Sequence, residues 1–433
     1  MTGFKGRRRA TVWGTLLAAS ICFGTVFASA NDAATAGDAP DEAARGKEAF
    51  FSAGADLRSR WEWTHGDEPV TVGLHRLLAR ASLRGSTLRG DLELGWHLQN
   101  PRGDTAPALA QDALDIQQAF IDLGDAEPGA GLHQRFRVGR QELVYELLGW
   151  RDAPNVRRPW DGARFTARLN GWTNDLFALR AVEPNRGAFD DRSSPGTHVI
   201  GAHVQSTEDR PLSISAFFYD VGQSTWQTSQ MTAPARTSTL GGVLTLTHGP
   251  YEASVGGALQ RGDHGDRDVH GWYSEAEVGR SFSTARLTPK IAVRVSAFSG
   301  GAPQPGRVRT FNPLFPNYAY STEAALQAPS NLIKVAVIAE AGSEDRLQLE
   351  YRGESLSRYS SRDAFYLPAG QPPLMPHTTS RWAGLQQQLK LTYAFKPEVR
   401  LTAAYVNFQA ARSLRAAGAT NVNYLMMQME MGL

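Results

Sequence analysis

The feature that most constrains the fold of this chain is an alternation of apolar and polar residues with a period of two. In the stretch 88–99, almost every second side chain is apolar, and the positions between are mostly charged or polar. Successive side chains of a β-strand point to opposite faces, so this pattern gives a strand with one oily and one polar face. Here Leu88, Leu92, Leu94, Trp96 and Leu98 oppose Arg89, Asp91, Glu93, His97 and Gln99.

The same alternation recurs at a nearly constant length. Clear segments lie at 51–63, 287–297, 347–352, 385–395, 399–408 and 425–433. Weaker segments lie at 77–84, 114–123, 135–143, 164–169, 176–182, 197–205, 212–220, 237–247, 251–260, 271–282 and 332–339. A tilted strand needs ~9–11 residues to cross a bilayer, and most of the segments approach that length. We therefore predict an all-β fold, a transmembrane antiparallel β-barrel of about 18 strands, an even number as in single-chain bacterial barrels.

The connections between these segments alternate between short and long. The short ones are 85–87, 124–134, 170–171, 206–211, 248–250, 283–285, 341–344 and 396–398. The long ones are 64–72, 100–113, 144–163, 183–196, 221–236, 261–270, 299–331, 353–381 and 409–422. Short periplasmic turns and long extracellular loops would produce this asymmetry, whereas a soluble β-sandwich has no reason to sort its loops in this way. The last apolar segment ends at Leu433, and we expect it to close the barrel against the first.

The N-terminal residues have the order of a secretory signal. Basic residues at 5–9 precede an apolar stretch at 13–27, and the small residues Ala28, Ser29 and Ala30 follow. A membrane anchor is the alternative, but the stretch is shorter than the ~20 residues of a spanning helix. We predict a cleavable signal peptide at 1–30, a periplasmic leader at 31–50 and the barrel at 51–433, in the outer membrane of a Gram-negative cell.

Charge and cysteine content exclude several classes of protein. The chain has 45 basic and 43 acidic residues, and removing Lys5, Arg7, Arg8 and Arg9 with the signal leaves 41 against 43, a net charge of −2. Bulk charge therefore gives no support to nucleic-acid binding. The single cysteine, Cys22, lies in the predicted signal, so the mature chain has no disulfides. No cofactor motif is evident, and we expect no cofactor and a monomer.

Two stretches carry a family resemblance. The first runs from Arg137-Val-Gly-Arg-Gln-Glu-Leu143 into Pro154-Asn-Val-Arg-Arg-Pro-Trp-Asp-Gly-Ala-Arg164, and the second is Phe311-Asn-Pro-Leu-Phe-Pro316 with Tyr320 and 328–332. Together they resemble the alginate export family of outer-membrane proteins. The resemblance implies an eighteen-stranded barrel with a cationic constriction that passes an anionic uronate polymer. The final Leu433 departs from the aromatic residue that usually ends such barrels.

The polar faces of the predicted strands are rich in arginine. Barrels of this size leave an aqueous channel, in which rings of cations concentrate anions and guanidinium groups bind carboxylates with two hydrogen bonds. The alternative is that the arginines pair with carboxylates of the lumen and only brace the wall. We predict a constriction formed by Arg137, Arg140, Arg157, Arg158 and Arg164, with further lumen lining by Arg58, Arg60, Arg80, Arg84, Arg294, Arg352 and Lys390.

These features favour a channel for an anionic polysaccharide such as an alginate-like uronate polymer. The alternative is a porin for small organic anions or oligosaccharides. A lipid-modifying enzyme is disfavoured because no Gly-x-Ser-x-Gly is present, and we predict no catalytic activity. The acidic stretch 262–268 is spaced like a calcium loop but lacks the distal Glu, which favours a solvated loop and no metal site. The expected partners are membrane lipid and lipopolysaccharide, the barrel assembly machinery and a periplasmic export scaffold.

Overall fold

The computed structural model describes residues 50–65, 69–100, 109–124, 131–149, 155–206, 211–282, 288–317, 321–343, 346–368 and 370–433. The predicted signal peptide at 1–30 and the leader up to residue 49 lie outside these ranges. The structure therefore bears on the barrel, which begins at Phe50, one residue before the predicted start.

The described chain forms one closed antiparallel barrel of 18 long strands. A nineteenth, two-residue strand, β14, pairs in parallel with β12. The strands are β1 Phe50–His65, β2 Val70–Arg84, β3 Leu88–Asn100, β4 Asp112–Gly124, β5 His133–Gln141, β6 Trp160–Leu169, β7 Trp172–Glu183, β8 Arg192–Ser206, β9 Leu212–Gln227, β10 Thr232–His248, β11 Tyr251–His264, β12 Arg267–Ser281, β13 Lys290–Phe298, β14 Arg307–Val308, β15 Leu332–Gly342, β16 Leu347–Arg358, β17 Trp382–Lys396, β18 Val399–Ala410 and β19 Val422–Gly432. The predicted fold and strand number are confirmed.

Closure is made by the first and last strands. The pairing of β1 with β19 runs from Asp56 opposite Gly432 to His65 opposite Asn423. The Leu433 amide donates to the Ala55 carbonyl (2.7 Å), and the Leu433 carbonyl accepts the Ala55 amide (3.0 Å). The terminal strand thus closes the barrel as expected, and its leucine end is compatible with this pairing.

The two faces of the wall are chemically opposite. Outward-pointing Leu240 and Val278 are 62% and 60% exposed, whereas Arg294 on the inner face is 1% exposed. A soluble protein places such residues the other way round, so the outer face is built to meet lipid. The period-two pattern of the sequence therefore reflects the lipid-facing and lumen-facing sides of a membrane barrel.

Several strands are longer than the pattern predicts. β10 has 17 residues, beyond the ~9–11 that cross a bilayer. Three predicted long loops, 64–72, 221–236 and 261–270, are therefore shorter hairpins, and their predicted bounds are wrong. The strands continue beyond the membrane because backbone hydrogen bonds between strands do not require an apolar face. The calcium-like stretch 262–268 forms part of one such hairpin, with Asp263 opposite Asp268.

Helical structure is confined to a short piece in the described chain. The helix α1, Arg412–Arg415, lies in the connection between β18 and β19. Within the described residues, no helix is long and apolar enough to span a membrane.

The largest apolar core lies inside the barrel. Three long connections between strands contribute buried apolar side chains to one cluster with the inner wall of β6–β13 and β15–β18. In their described residues, we name them loop A (142–149 and 155–159), loop B (299–317 and 321–331) and loop C (359–368 and 370–381). The loop residues include Leu147, Leu148, Phe311, Phe315 and Phe365, and the wall residues include Phe177, Val199, Phe217, Tyr219, Tyr273 and Phe298. Part of the lumen is therefore filled by packed loops.

Candidate functional site

Loop A reaches two separate parts of the wall. Near its start, Glu146 accepts a hydrogen bond from Ser215 on β9 (2.5 Å) and contacts His203 Nε2 on β8 (2.8 Å). Near its end, the Asn155 amide nitrogen donates to the His75 carbonyl of β2 (3.1 Å), and the Asn155 amide oxygen accepts from Arg58 of β1 (2.8 Å). Because its two ends are fixed to β8–β9 and β1–β2, loop A extends across the lumen.

Loop B, which follows β13, contacts a different part of the wall. The side chain of Gln260 on β11 makes two hydrogen bonds with the backbone of Asn312. Its oxygen accepts the Asn312 amide (2.8 Å), and its nitrogen donates to the Asn312 carbonyl (2.7 Å). Further along, Glu323 accepts a hydrogen bond from Lys390 of β17 (2.8 Å) and lies 3.8 Å from Arg60 of β1. Loop B thus spans from β11 to β17 and β1, and it narrows the passage together with loop A.

Loop C locks loop B in place through one buried carboxylate. Asp363 accepts hydrogen bonds from Gly301 N (3.1 Å) and Thr310 Oγ1 (2.6 Å) of loop B, and from Ser229 Oγ (2.6 Å) of the β9–β10 turn. The guanidinium of Arg358 donates to four backbone carbonyls of loop C. A buried charge is stable only when it is hydrogen-bonded in this way. The hydrogen bonds of Asp363 and Arg358 therefore stabilise loops B and C in their positions inside the barrel.

Loops A and B also touch each other directly. The Phe315 amide donates to the Leu147 carbonyl (3.1 Å), and the Phe315 ring packs edge-on against Trp160 (5.0 Å between centroids). The two loops are therefore in direct contact inside the barrel.

Arg137 and Arg164 of the predicted constriction lie directly opposite each other on β5 and β6. Arg137 donates two hydrogen bonds to Asp122 (2.6 and 2.8 Å), and its guanidinium stacks over the Phe120 ring at 3.5 Å. Arg164 donates two hydrogen bonds to Asp175 (both 2.9 Å). The structure brings these two arginines together, each with one carboxylate.

The other three predicted constriction residues lie elsewhere. Arg140 donates two hydrogen bonds to Asp161 (2.9 and 3.1 Å) and one to the Ile116 carbonyl (3.0 Å). Arg157, in loop A, donates to Glu142 (3.0 Å). Arg158, beside it, is half-buried. Arg157 and Arg158 thus belong to the inserted loop rather than to the strands.

The predicted lumen-lining cations contact acidic, polar or aromatic partners. Arg80 contacts Asp56 (2.6 Å) and Glu93 (2.9 Å), Arg60 contacts Glu62 (2.6 Å) and Tyr424 (2.9 Å), and Arg294 contacts Glu277 (2.6 Å). Arg352 donates to the Ser321 carbonyl (2.7 Å), Lys390 pairs with Glu323, Arg58 with Asn155, and Arg84 lies over the Phe50 ring (5.7 Å).

The most accessible cations form a strip near the periplasmic end of β2–β6. Arg80, Arg89 and Arg135 are each about one third exposed, while Arg137 and Arg164 lie deeper. We name these five arginines, with Asp91, Asp122 and Asp175, the arginine strip. With Asp56 and Glu93, the partners of Arg80, five carboxylates face these five guanidinium groups, so the strip is a row of ion pairs rather than a net positive surface.

Sequence reasoning missed the counter-ions Asp122 and Asp175 and the loop residues Tyr145, Glu146 and Glu323. Asp122 lies at a polar position of a predicted strand, so its lumen-facing position could have been inferred. Asp175 precedes the predicted segment 176–182, and the loop residues carry no periodic signal. Their roles emerge only from the folded loops.

A closed barrel with a lipid-facing outer surface, a polar inner wall and inserted loops defines an outer-membrane channel. The chain belongs to the alginate export family, because a sequence model of that family, described as alginate export, matches residues 86–428. No curated protein matches the chain significantly.

Solved outer-membrane proteins of Pseudomonas aeruginosa share the fold. OccD3 (OpdP) has a TM-score of 0.60 at 10% identity, with 88% of this chain and 91% of that chain covered. OccK11 (OpdR) has a TM-score of 0.57 at 12% identity, with 89% and 98% covered. OpdK with vanillate has a TM-score of 0.57 at 11% identity, with 88% and 98% covered. At these identities the similarity concerns the fold alone.

Proposed function

We propose that this outer-membrane channel passes an anionic, carboxylate-bearing polysaccharide of the alginate-like uronate type along the arginine strip. The observation that carries the proposal is the facing pair of Arg137 and Arg164, each bound to a single carboxylate. Family membership supports the polymer as cargo.

The ion pairs of the strip explain how a polymer would move. A guanidinium binds a substrate carboxylate with the same two-hydrogen-bond geometry that it uses for Asp122 or Asp175. The substrate exchanges with the wall carboxylate, so each step replaces one pair by a similar one. A row of such pairs, none of them strong enough to hold the chain, lets a polymer slide.

The test is block of single-channel current in planar bilayers. Oligouronates of increasing length should block the current more strongly as length increases, because longer chains contact more of the strip. Arg137→Ala and Arg164→Ala should relieve the block. Arg236→Ala is the matched control, since Arg236 also pairs with an aspartate (Asp220, 2.7 Å) but is 68% exposed, far from the strip. If all three variants behave like the parent, the strip does not bind the cargo.

A porin for small organic anions or oligosaccharides is the second candidate, and the inserted loops favour it. Loops A, B and C fill part of the lumen, and a small solute passes fixed loops more readily than a polymer does. OpdK, which shares the fold, was crystallised with vanillate, a small aromatic carboxylate. If small carboxylates block the single-channel current as strongly as oligouronates do, the result favours this candidate.

The chain would be exported and inserted into the outer membrane before it transports the polymer. Residues 1–30 would be removed as a signal peptide, and the barrel assembly machinery would insert the mature chain as a monomer. A periplasmic scaffold would deliver the polymer to the arginine strip, which lies at the periplasmic end. We assign the chain no catalytic role.

A further inference from the structure

The strands β5 and β6 are short, and another segment fills the wall beside β4. Residues 184–191, which connect β7 and β8, pack against the start of β4. The Ala113 amide donates to the Arg186 carbonyl (3.2 Å), and the Phe189 amide donates to the Leu114 carbonyl (2.9 Å). These contacts bring two acidic stretches of the chain together.

Four aspartates meet at this junction. Ligand oxygens of Asp112, Asp115 and Asp191 lie within 4.8 Å of one another, and Asp190 is adjacent. Asp115 Oδ2 accepts the amides of Asp190 (2.8 Å) and Asp191 (3.1 Å), which fixes the backbone of the segment. Asp191 Oδ1 accepts the Asn185 amide (2.7 Å). Each of these carboxylates keeps its position through local hydrogen bonds, apart from Asp112.

Asp112 is the independent observation that points to a ligand at this junction. Its side chain is 0% exposed, and no donor among the described residues forms a hydrogen bond with either carboxylate oxygen. His97 Nδ1 is 4.0 Å away, beyond hydrogen-bond distance, and the neighbouring Ala113 amide is used by Arg186. Buried oxygens of Asp190 and Asp191 also have no hydrogen-bond partner in the described chain. Buried carboxylate oxygens are costly unless a donor or cation satisfies them.

The guanidinium of Arg140 lies 3.7 Å from Asp115 and also binds Asp161, so it is shared between two carboxylates. A bound cation would remove the mutual repulsion of these groups.

We propose that Asp112, Asp115 and Asp191, with Asp190 beside them, bind one Ca²⁺ ion. Ca²⁺ takes oxygen ligands at 2.3–2.6 Å, so oxygens on opposite sides of the ion are roughly 5 Å apart, as the cluster requires. Mg²⁺ is smaller, needs near-ideal octahedral geometry and retains its waters, and therefore suits a buried set of carboxylates less well. The ion would fasten residues 184–191 to β4, where they complete the wall.

The experiment is calorimetric titration of CaCl₂ into lipopolysaccharide-free protein refolded in detergent. We expect one Ca²⁺ per chain, and we expect Asp112→Asn to weaken binding by more than about tenfold because the change replaces a buried carboxylate ligand by a neutral amide. Asp266→Asn is the control, since Asp266 lies in the β11–β12 turn and its side chain is 89% exposed. Heat-modifiable migration on gels shows that each variant is folded.

Trypsin provides a second measurement on the same samples. Cleavage at Arg186 and Arg192 should slow when CaCl₂ is added to the parent protein and should not respond in Asp112→Asn. The proposal is overturned if the folded parent binds no Ca²⁺, if folded Asp112→Asn binds it as tightly as the parent, or if Mg²⁺ binds as tightly as Ca²⁺.

Discussion

At the scale of single residues, the lumen charges act in pairs. Arg137 has a bidentate partner in Asp122 and an aromatic surface in Phe120, and Arg135 lies 3.9 Å from the same carboxylate. One aspartate therefore compensates two guanidinium groups. We expect the anion selectivity of the channel to depend on this ratio rather than on the arginines alone.

Asp122→Asn should make the channel more selective for anions. The change removes one negative charge and leaves Arg135 and Arg137 without their counter-ion, which raises the local concentration of anions. Reversal potentials in a KCl gradient measure the effect. Asp220→Asn is the control, because it breaks an arginine pair at an exposed position. Equal reversal potentials for the two variants would show that Asp122 does not set selectivity.

Gly139, between Arg137 and Arg140, has a backbone that only glycine adopts easily. Its φ is +130°, and a Cβ would lie 2.2 Å from the Ala119 carbonyl oxygen on β4. Gly139→Ala should destabilise the barrel by about 1–3 kcal/mol, the usual cost of a strained backbone. Gly90→Ala is the matched control, since nothing lies within 4 Å of its Cβ position. Equal denaturant midpoints for the two variants would contradict the assigned strain.

At the scale of elements, we expect the inserted loops to decide which solutes pass. Leu148 of loop A and Phe315 of loop B form a backbone bridge inside the barrel. The predicted mature chain has no cysteine, so a new disulfide can be placed there without competing thiols. This position allows loop movement to be tested directly.

The double variant Leu148→Cys/Phe315→Cys should distinguish the two candidate cargoes. Once oxidised, it should block polymer passage, because a polymer needs the loops to separate, while small organic anions still permeate. Dithiothreitol should restore polymer passage. Liposome flux of uronate polymer and of a small carboxylate measures both. Unchanged polymer flux in the oxidised protein would show that loops A and B stay together during transport.

At the scale of the whole molecule, the barrel is stabilised by placing apolar side chains in lipid. Leu240 lies on the outer face of β10 within the stretch expected to cross the membrane, while Leu212 begins β9 beside a short turn and lies opposite Leu246. Both side chains are exposed and apolar, so they differ mainly in depth.

Leu240→Arg should lower the free energy of unfolding by about 2–4 kcal/mol, and Leu212→Arg by about 0–1 kcal/mol, because the cost of an arginine in lipid depends on depth. Denaturant unfolding in lipid vesicles measures both. If the two variants lose the same free energy of unfolding, the membrane lies at a different position along the strands.

Much of the fold was predictable from local pattern. The eighteen alternating segments correspond to the eighteen long strands, and the closure of 425–433 against the first strand is confirmed. The predicted loop bounds at 64–72, 221–236 and 261–270 are wrong, because strand pairing in water leaves no apolar signature. Arg137 and Arg164 lie on consecutive predicted strands, 135–143 and 164–169, so their proximity could be predicted. Asp175, the partner of Arg164, lies one residue before the predicted strand 176–182 and was missed.

The sequence alone determined that this chain is a barrel of a given strand number with an oily outside and a charged inside. Those properties depend on alternation, which each strand carries within its own residues. The tertiary structure decided which charges are compensated and which loops occupy the lumen. Contacts such as Arg58 with Asn155 and Lys390 with Glu323 join residues far apart in sequence, and they form only after closure brings distant strands and loops into one confined space.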